Sequence, residues 1–193
     1  MRKNRAVMKV ADPAEAKMKQ RGGQVQVYTG NGKGKTTASL GLALRAVGRE
    51  LKVCIVQFMK GSGDYGEHVA AERLFPNLTI HRTGRDGWVT KGNPHPEDLS
   101  QARLALDLAH KALACGQYDL VIVDEINGAA WFDLVTVDEI LALIAAKPGG
   151  VELVLTGRSA DERVMEAADL VTEMREVKHY FRQGVPARVG IEM

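Results

Sequence analysis

The chain has 193 residues, of which 45% are hydrophobic and 26% are charged, so it can bury the core of one compact soluble domain. Its 26 Lys and Arg residues nearly balance 24 Asp and Glu residues, which excludes a strongly basic nucleic-acid-binding protein. No uninterrupted apolar run approaches the roughly 18 residues of a membrane-spanning helix, and the first residues lack the apolar core of a secretion signal. These features predict a cytoplasmic protein that binds neither nucleic acid nor membrane.

The charge is unevenly distributed along the chain. Residues 1–23 carry seven Lys or Arg and two Asp or Glu residues, whereas residues 24–193 are mildly acidic. The order Asp12, Pro13 and Glu15 is typical of a helix start, and a Gly-Gly pair would end that segment. Two interpretations of this basic arm stay open: a frayed, solvated terminus, or a cationic flap over an anionic ligand. The rest of the chain is predicted to form the globular domain.

From residue 24 onward, short β-branched runs alternate with longer amphipathic segments, the pattern of βαβ units around a mostly parallel sheet. Several runs are almost entirely apolar, as strands covered on both faces by helices are. The sequence therefore predicts an α/β fold with a central sheet. The predicted strands are 25–29, 52–58, 78–81, 120–124, 151–156 and 170–174.

Apolar residues recur at helical spacing within 102–113 and 137–144, which predicts a helix at each place. Two Ser or Thr residues are followed three positions later by Glu, the spacing of a capping box at a helix start. These pairs are Thr136 with Glu139 and Ser159 with Glu162. Between the third predicted strand and the predicted helix at 102–113, the Gly- and Pro-rich stretch 83–96 predicts a long loop. Loops of that length are usually functional.

The strongest motif is TGNGKGKTT at residues 29–37, which follows a predicted strand and precedes a helical run. Glycines in such a turn let successive backbone N–H groups face phosphate oxygens, and the helix N-terminus adds partial positive charge. Lys35 can neutralise phosphate, and the Thr36 hydroxyl can ligate Mg²⁺. Thr29 stands where the pattern has Gly, and we expect the additional glycines of the run to supply the lost flexibility. The motif predicts a triphosphate site.

A second polar motif, LVIVDE at residues 120–125, ends an apolar strand with the carboxylates of Asp124 and Glu125. In P-loop proteins, acids at this place hold Mg²⁺ directly or through water. Two roles stay open for Glu125: a base that activates water in a hydrolytic enzyme, or a metal ligand without a base role.

Two further strand ends carry basic residues where ligands of an open α/β sheet collect. Lys60 lies in VQFMKG after the second predicted strand, and Arg158 lies in LTGR after the fifth. A guanidinium at such a turn can clamp a terminal phosphate with two hydrogen bonds. Each residue is also compatible with a solvated loop charge.

Together, TGNGKGKTT, VQFMKG, VIVDEIN and LVLTGR, followed by LVTEMREVKH and GI, resemble the P-loop class of ATP:corrinoid adenosyltransferases. The resemblance runs from about Gly23 to the last residue, with the motifs in the family's order. It implies a RecA-like P-loop NTPase fold and a homodimer. It also implies an enzyme that transfers the 5′-deoxyadenosyl group of ATP to the Co(I) of a reduced corrinoid, cob(I)alamin or cob(I)yrinic acid a,c-diamide, and releases triphosphate. An electron-donating flavoprotein is an implied partner.

The resemblance also implies roles for individual residues. Lys35, Thr36 and Glu125 would act in catalysis, and Thr36, Glu125 and Asp124 would coordinate Mg²⁺ or Mn²⁺. The residues implied to bind ATP are Gly30, Asn31, Gly32, Lys33, Gly34, Lys35, Thr36, Thr37, Lys60 and Arg158. The family usually places an aromatic residue after a glycine in the loop before the long helix, where it packs on the lower face of the corrinoid. Trp88, which directly follows Gly87, is the candidate for this corrinoid contact, and the sequence has an inserted residue before Gly87.

Two other functions remain compatible with the motifs. One is a RecA-like ATPase or kinase that hydrolyses or transfers the γ-phosphate, and the other is a nucleotide-dependent binding protein whose basic arm engages an acidic partner. The products separate them, because adenosyl transfer releases triphosphate, phosphoryl transfer releases ADP, and a binding protein shows no turnover.

Overall fold

The structure, a computed structural model, describes residues 22–193. The basic arm predicted at 1–23 lies outside these residues except for its last two glycines, and so does the helix start predicted at Asp12. The role of the arm as a flap stays a prediction.

Six parallel strands form one sheet in the described part of the chain, in the order β3-β2-β4-β5-β1-β6. All six predicted strands are confirmed, with ends that differ by one residue at most. The strands are β1 (Val25–Thr29), β2 (Val53–Gln57), β3 (Leu78–Arg82), β4 (Leu120–Asp124), β5 (Glu152–Thr156) and β6 (Leu170–Glu173). Because they are parallel, all their carboxyl ends lie at one edge of the sheet, where ligands of such folds bind.

Helices cover both faces of this sheet, as predicted. They are α1 (Lys35–Val47), α2 (Gly66–Leu74), α3 (Pro96–Ala114), α4 (Ile126–Trp131), α5 (Val137–Ala145) and α6 (Glu162–Glu166), followed by a short 3₁₀ helix, Tyr180–Gln183. Strand β2 shows the two-sided burial clearly: Cys54 and Val56 join the apolar cluster under α3, whereas Val53 and Ile55 join the cluster under α1 and α2. This is the architecture of a P-loop NTPase-like α/β fold. Among the described helices, none combines the length and apolar character that crossing a membrane requires.

One of the two predicted capping boxes is confirmed and the other is wrong. At α5, the Thr136 hydroxyl accepts from the Glu139 N–H at 3.2 Å, and the Glu139 carboxylate accepts from the Thr136 N–H at 2.8 Å. At α6, the N-cap is Asp161, whose carboxylate accepts from the Arg163 N–H at 2.9 Å. Ser159 cannot cap this helix because it belongs to the tight turn after β5, with a left-handed φ of +54°.

Candidate nucleotide site and adjoining pocket

We call the loop between β1 and α1, residues 29–37, the cradle, because its sequence predicts phosphate binding. Gly30 and Gly34 have φ angles of +90° and +126°, which side-chain-bearing residues rarely adopt. The buried Lys35 ammonium donates to the carbonyl oxygens of Gly30 and Gly32 at 2.7 and 2.9 Å. The Ala38 N–H donates to Gly34 at the start of α1, so the preceding three N–H groups lie at the open N-terminus of the helix, where anions bind. Burial lowers the pKa of Lys35, and the nearby Glu125 carboxylate opposes this shift.

Thr29 and Gly32 have structural roles in this loop that the sequence did not predict. Thr29, which replaces a glycine of the pattern, is buried, and its hydroxyl accepts from the Ala160 N–H at 3.1 Å, joining β1 to the turn after β5. Gly30 supplies the positive φ one residue later, as expected. Gly32 is needed for close packing instead, since a Cβ there would lie 2.6 Å from the carbonyl oxygen of Met174. Its N–H donates to that oxygen at 2.6 Å, so not every N–H of the run faces a phosphate.

A threonine hydroxyl links the two acids at the end of β4. Thr156, at the adjacent end of β5, donates to Asp124 at 2.7 Å and accepts from the Glu125 N–H at 2.9 Å. Asp124 is fully buried and also accepts from the Thr36 hydroxyl at 3.0 Å, so the acid motif and the P-loop meet as predicted. Burial raises the pKa of Asp124, and burial together with the Asp124 charge raises the pKa of Glu125. Glu125 has a left-handed φ of +63°, a conformation often found at functional sites.

Gln57, at the end of β2, is a buried residue that the sequence analysis did not assign to the site. Its amide nitrogen lies 3.5 Å from an Asp124 carboxylate oxygen, and its amide oxygen lies 2.7 Å from Nε2 of His68. A polar residue in an otherwise apolar buried strand was the available signal, because buried polar groups need specific partners. Gln57 completes the hydrogen bonding of Asp124 from the side opposite β5.

The oxygen donors at the base of the cradle fit a magnesium or manganese ion. Thr36, Asp124 and Glu125 offer a hydroxyl and two carboxylates, and Asp124 is buried without an ion pair in residues 22–193. Among the described residues, no three His, Cys, Asp or Glu side chains are grouped closely enough to hold a metal by themselves, so an ion at this place would also need oxygen ligands from a bound phosphate. This pattern matches the way Mg²⁺ binds at nucleotide sites, where one or two carboxylates act together with substrate phosphates.

The two predicted basic residues lie on opposite sides of the acids. The Lys60 ammonium is 3.8 Å from a Glu67 carboxylate oxygen and 4.0 Å from the centroid of the Tyr65 ring, so α2 holds this side chain. Arg158 is exposed and makes no ion pair within the described chain. It follows Gly157, where a Cβ would lie 2.5 Å from the backbone nitrogen of Gly128, so only glycine allows this turn to approach α4.

A cavity of about 750 Å³ joins the phosphate cradle to an aromatic wall. Asn31, Glu125 and Arg158 line it beside the cradle. Farther out, it is lined by apolar residues from three elements: Met59, Trp88, Val89, Trp131 and Phe132. The structure thus brings Trp88, the predicted corrinoid contact, into one cavity with Asn31 and Arg158, two of the predicted nucleotide contacts, while the other predicted nucleotide contacts do not line it.

The loop that carries Trp88 is anchored at its base. Arg85 lies 2.8 Å from an Asp98 carboxylate oxygen and donates to the Trp88 carbonyl oxygen at 3.0 Å. The Trp88 side chain itself is 93% exposed. The predicted loop is therefore confirmed, and its indole is available for contact with a ligand.

Trp131 is a second aromatic residue of this cavity, and the sequence analysis missed it. It is 44% exposed, and the Lys91 ammonium lies 4.0 Å from the centroid of its ring. Its position was the available signal, because a Trp-Phe pair begins six residues after Glu125 on a helix that starts at the acid motif. Lys91 comes from the same loop as Trp88, so a cation–π contact joins this loop to α4.

Comparison with known proteins agrees with this geometry. The family model described as ATP:corrinoid adenosyltransferase BtuR/CobO/CobP matches residues 21–193. A corrinoid adenosyltransferase of Pseudomonas aeruginosa is 37% identical over 183 residues, 95% of this chain and 90% of that protein. A corrinoid adenosyltransferase of Escherichia coli K12 is 35% identical over 186 residues, 96% of this chain and 93% of that protein. One of Salmonella typhimurium is 35% identical over 187 residues, 95% of this chain and 94% of that protein. The chain therefore belongs to the ATP:corrinoid adenosyltransferase family and is an enzyme of this type.

Proposed function

We propose that this enzyme transfers the 5′-deoxyadenosyl group of ATP to the Co(I) of a reduced corrinoid and releases triphosphate. The observation that carries the proposal is the continuous cavity between the phosphate cradle and the aromatic wall of Trp88 and Trp131. Such a cavity can hold a nucleotide and a large planar substrate side by side.

The cradle residues would bind and orient the triphosphate. Lys35 and the N-terminus of α1 would neutralise phosphate charge. Asn31 and Arg158 line the adjoining cavity, and Lys33 is a partly exposed residue of the same loop as Asn31. Lys60 adds positive charge beside the acids without occupying the cradle. A triphosphate held in the cradle would leave the C5′ atom of ATP to face the outer cavity.

Thr36, Asp124 and Glu125 would hold Mg²⁺ or Mn²⁺ together with the phosphates. When bound, this ion neutralises charge on the triphosphate leaving group. Thr156 holds the Asp124 carboxylate and the Glu125 backbone N–H in place, so little rearrangement is needed there when ATP binds.

The reaction requires alignment of the corrinoid with the C5′ atom of ATP and does not require a side-chain base. Co(I) donates an electron pair to C5′ as the C5′–O bond breaks, so a Co–C bond forms and triphosphate leaves with the bonding pair. No proton has to be removed from the nucleophile, and the enzyme contributes proximity, exclusion of water and stabilisation of the charge on the leaving group. Trp88 and Trp131 offer apolar surface against which the corrinoid can pack.

One observation favours a second candidate function, a RecA-like ATPase or kinase. Burial raises the pKa of Glu125, and a raised carboxyl pKa improves a general base near neutral pH. In that function, Glu125 would activate water or a substrate hydroxyl and ADP would be the product. The outer aromatic cavity would then have no assigned role, which is why we prefer adenosyl transfer.

Product analysis tests the proposal directly. The protein is mixed with ATP, Mg²⁺ and chemically reduced corrinoid, and triphosphate, ADP and adenosylcorrinoid are measured. We expect triphosphate and adenosylcorrinoid in equal amounts. ADP formation that does not depend on corrinoid would contradict the proposal and support the hydrolytic function.

A Glu125→Gln variant separates the two roles of that residue. We expect slower adenosyl transfer because metal binding weakens, with partial recovery when the Mg²⁺ concentration is raised. Loss of the basic limb of the pH–rate profile, with unchanged metal dependence, would identify Glu125 as a base instead.

We also propose a quaternary structure, a cellular location and an electron donor for this enzyme. The enzyme acts as a homodimer in the cytoplasm, where an electron-donating flavoprotein reduces the corrinoid before transfer. Sedimentation of the purified protein tests the dimer, and adenosylation of Co(II) corrinoid with reduced flavoprotein, in place of a chemical reductant, tests the electron donor.

A further inference from the structure

The segment that follows β6, residues 174–193, lies across the phosphate cradle, and we call it the C-terminal strap. Its first residue, Met174, donates its N–H to Thr29 at 2.8 Å and accepts from the Gly32 N–H at 2.6 Å. The other end of the strap lies against α2, since a Cβ at Gly66 would be 3.8 Å from the Met193 carbonyl oxygen. The strap therefore runs from the edge of the sheet, past the cradle, to the far side of the site.

Glu192 is the best-connected side chain of this strap. Its carboxylate accepts from the Tyr180 hydroxyl, from the Arg188 N–H at 2.9 Å, and from Nη2 of Arg188 at 3.0 Å. The hydrogen bonds from Arg188 and Tyr180 lower the pKa of Glu192 to about 2. The carboxylate is thus ionised throughout the neutral range, and several donors fix its position.

This fixed carboxylate faces the cradle. An oxygen of Glu192 lies 3.7 Å from the ammonium of Lys33, the lysine that precedes Gly34 and Lys35 in the loop. The Lys33 side chain is 41% exposed, so it can still reach a phosphate. Arg188 lies closer to this carboxylate than Lys33 does, so Glu192 shares its charge between two cations and its pairing with Lys33 is a weak, partly exposed one.

We propose that Glu192 of the C-terminal strap is a positioning residue of the nucleotide site, which acts through Lys33 to favour ATP binding. Held at the rim of the loop, the ammonium is already close to where the phosphates enter, so less side-chain entropy is lost when ATP binds. The inference rests on the proposed ATP site alone and is independent of the adenosyl transfer step.

The test is ATP affinity, measured by calorimetry without corrinoid, for the full-length protein and its Glu192→Gln variant. We expect the variant to bind ATP about two- to fivefold more weakly, in line with one partly exposed ion pair. The difference should shrink at high salt, which screens an ion pair but leaves a purely structural contact unchanged. In turnover, the KM for ATP should rise by the same factor, while kcat and the KM for corrinoid stay unchanged.

A double-mutant cycle shows whether Glu192 acts through Lys33. In a Lys33→Gln background, Glu192→Gln should have no further effect on ATP affinity. Arg182→Gln is the matched control, because it breaks another ion pair of the same strap, Arg182 with Glu176 at 2.7 Å, in which no cradle residue takes part. This variant should bind ATP normally.

Three results would overturn the inference. Tighter ATP binding by Glu192→Gln would mean that the carboxylate competes with phosphate for Lys33, and unchanged affinity would mean that the strap has no positioning role. An equal loss in the Arg182→Gln control would indicate a general loosening of the strap. Because affinity is measured without corrinoid, failure of adenosyl transfer alone would overturn the proposed function and leave this inference standing.

Discussion

The two ends of the cavity are built in opposite ways. At the phosphate end, Lys35, Asp124 and Thr156 are buried, and each has hydrogen-bond partners within the chain. At the aromatic end, Trp88 and Trp131 are exposed and have few partners. Charge chemistry requires groups that are fixed before the substrate arrives, whereas apolar recognition requires surface that the substrate itself will cover.

This difference has a consequence for stability as well as for function. The phosphate end keeps a carboxylate out of water, which costs free energy of folding until a cation is bound. The exposed Trp88 side chain contributes little to folding, because almost none of its surface is buried. Substitutions at the two ends should therefore affect different substrates, and only the phosphate end should affect stability.

The largest expected effect is that of Lys35→Ala at the phosphate end. The change removes a charge-assisted contact of about 1.5 to 3 kcal/mol, so kcat/KM for ATP should fall roughly ten- to a hundredfold. Steady-state kinetics with saturating reduced corrinoid measure it. Lys111→Ala, at an exposed lysine in the last turn of α3, is the matched control, and its kcat/KM for ATP should equal that of the wild-type protein. Unchanged ATP kinetics in Lys35→Ala would refute the assignment of the cradle.

An intermediate effect is expected for Trp88→Ala at the aromatic end. If the indole displaces a lower axial ligand of the corrinoid, the loss should be about tenfold when the corrinoid is supplied as Co(II) with a mild reductant. It should be much smaller with corrinoid already reduced to Co(I), and the KM for ATP should not change. Trp88→Phe keeps an apolar ring and should retain most activity. Equal losses with Co(II) and Co(I) would show that Trp88 only anchors its loop.

The smallest expected effect is that of Asp124→Asn. At pH 8 without metal, its midpoint of thermal unfolding should rise by a few °C, which corresponds to roughly 1 kcal/mol in the free energy of unfolding. Since burial raises the pKa of Asp124 in the folded state, its ionised form destabilises the fold above that pKa. The gain should therefore disappear as the pH falls through the raised pKa towards the unfolded value of about 4. Calorimetric scans across this range measure it.

Trp88→Ala, scanned under the same conditions, should leave the midpoint unchanged and serves as the control from the other end of the cavity. A lower midpoint for Asp124→Asn at pH 8 would mean that the hydroxyls of Thr36 and Thr156 stabilise the carboxylate more than burial penalises it.

Local patterns were sufficient for most of the phosphate end. Strand β1, the glycine-rich run and the start of α1 are adjacent in the chain, so one stretch of sequence specifies the cradle and its lysine. The acid motif could also be predicted from the sequence, because its two carboxylates directly follow an apolar strand, at the edge where ligands of parallel sheets bind. The capping box predicted at Ser159 was wrong, although its spacing was right, because Ser159 lies in the turn after β5 and Asp161 caps the helix instead.

The sequence by itself determined the parallel α/β fold, the strand positions and the place of the cradle between β1 and α1, because each depends on residues that are neighbours in the chain or on the burial of apolar runs. Only the tertiary structure decided which distant residues meet. It paired Gln57 with Asp124, brought Trp131 into the cavity with Trp88, and laid Glu192 beside Lys33. These contacts depend on the order of strands in the sheet and on the path of the strap across it, and no local spacing encodes either.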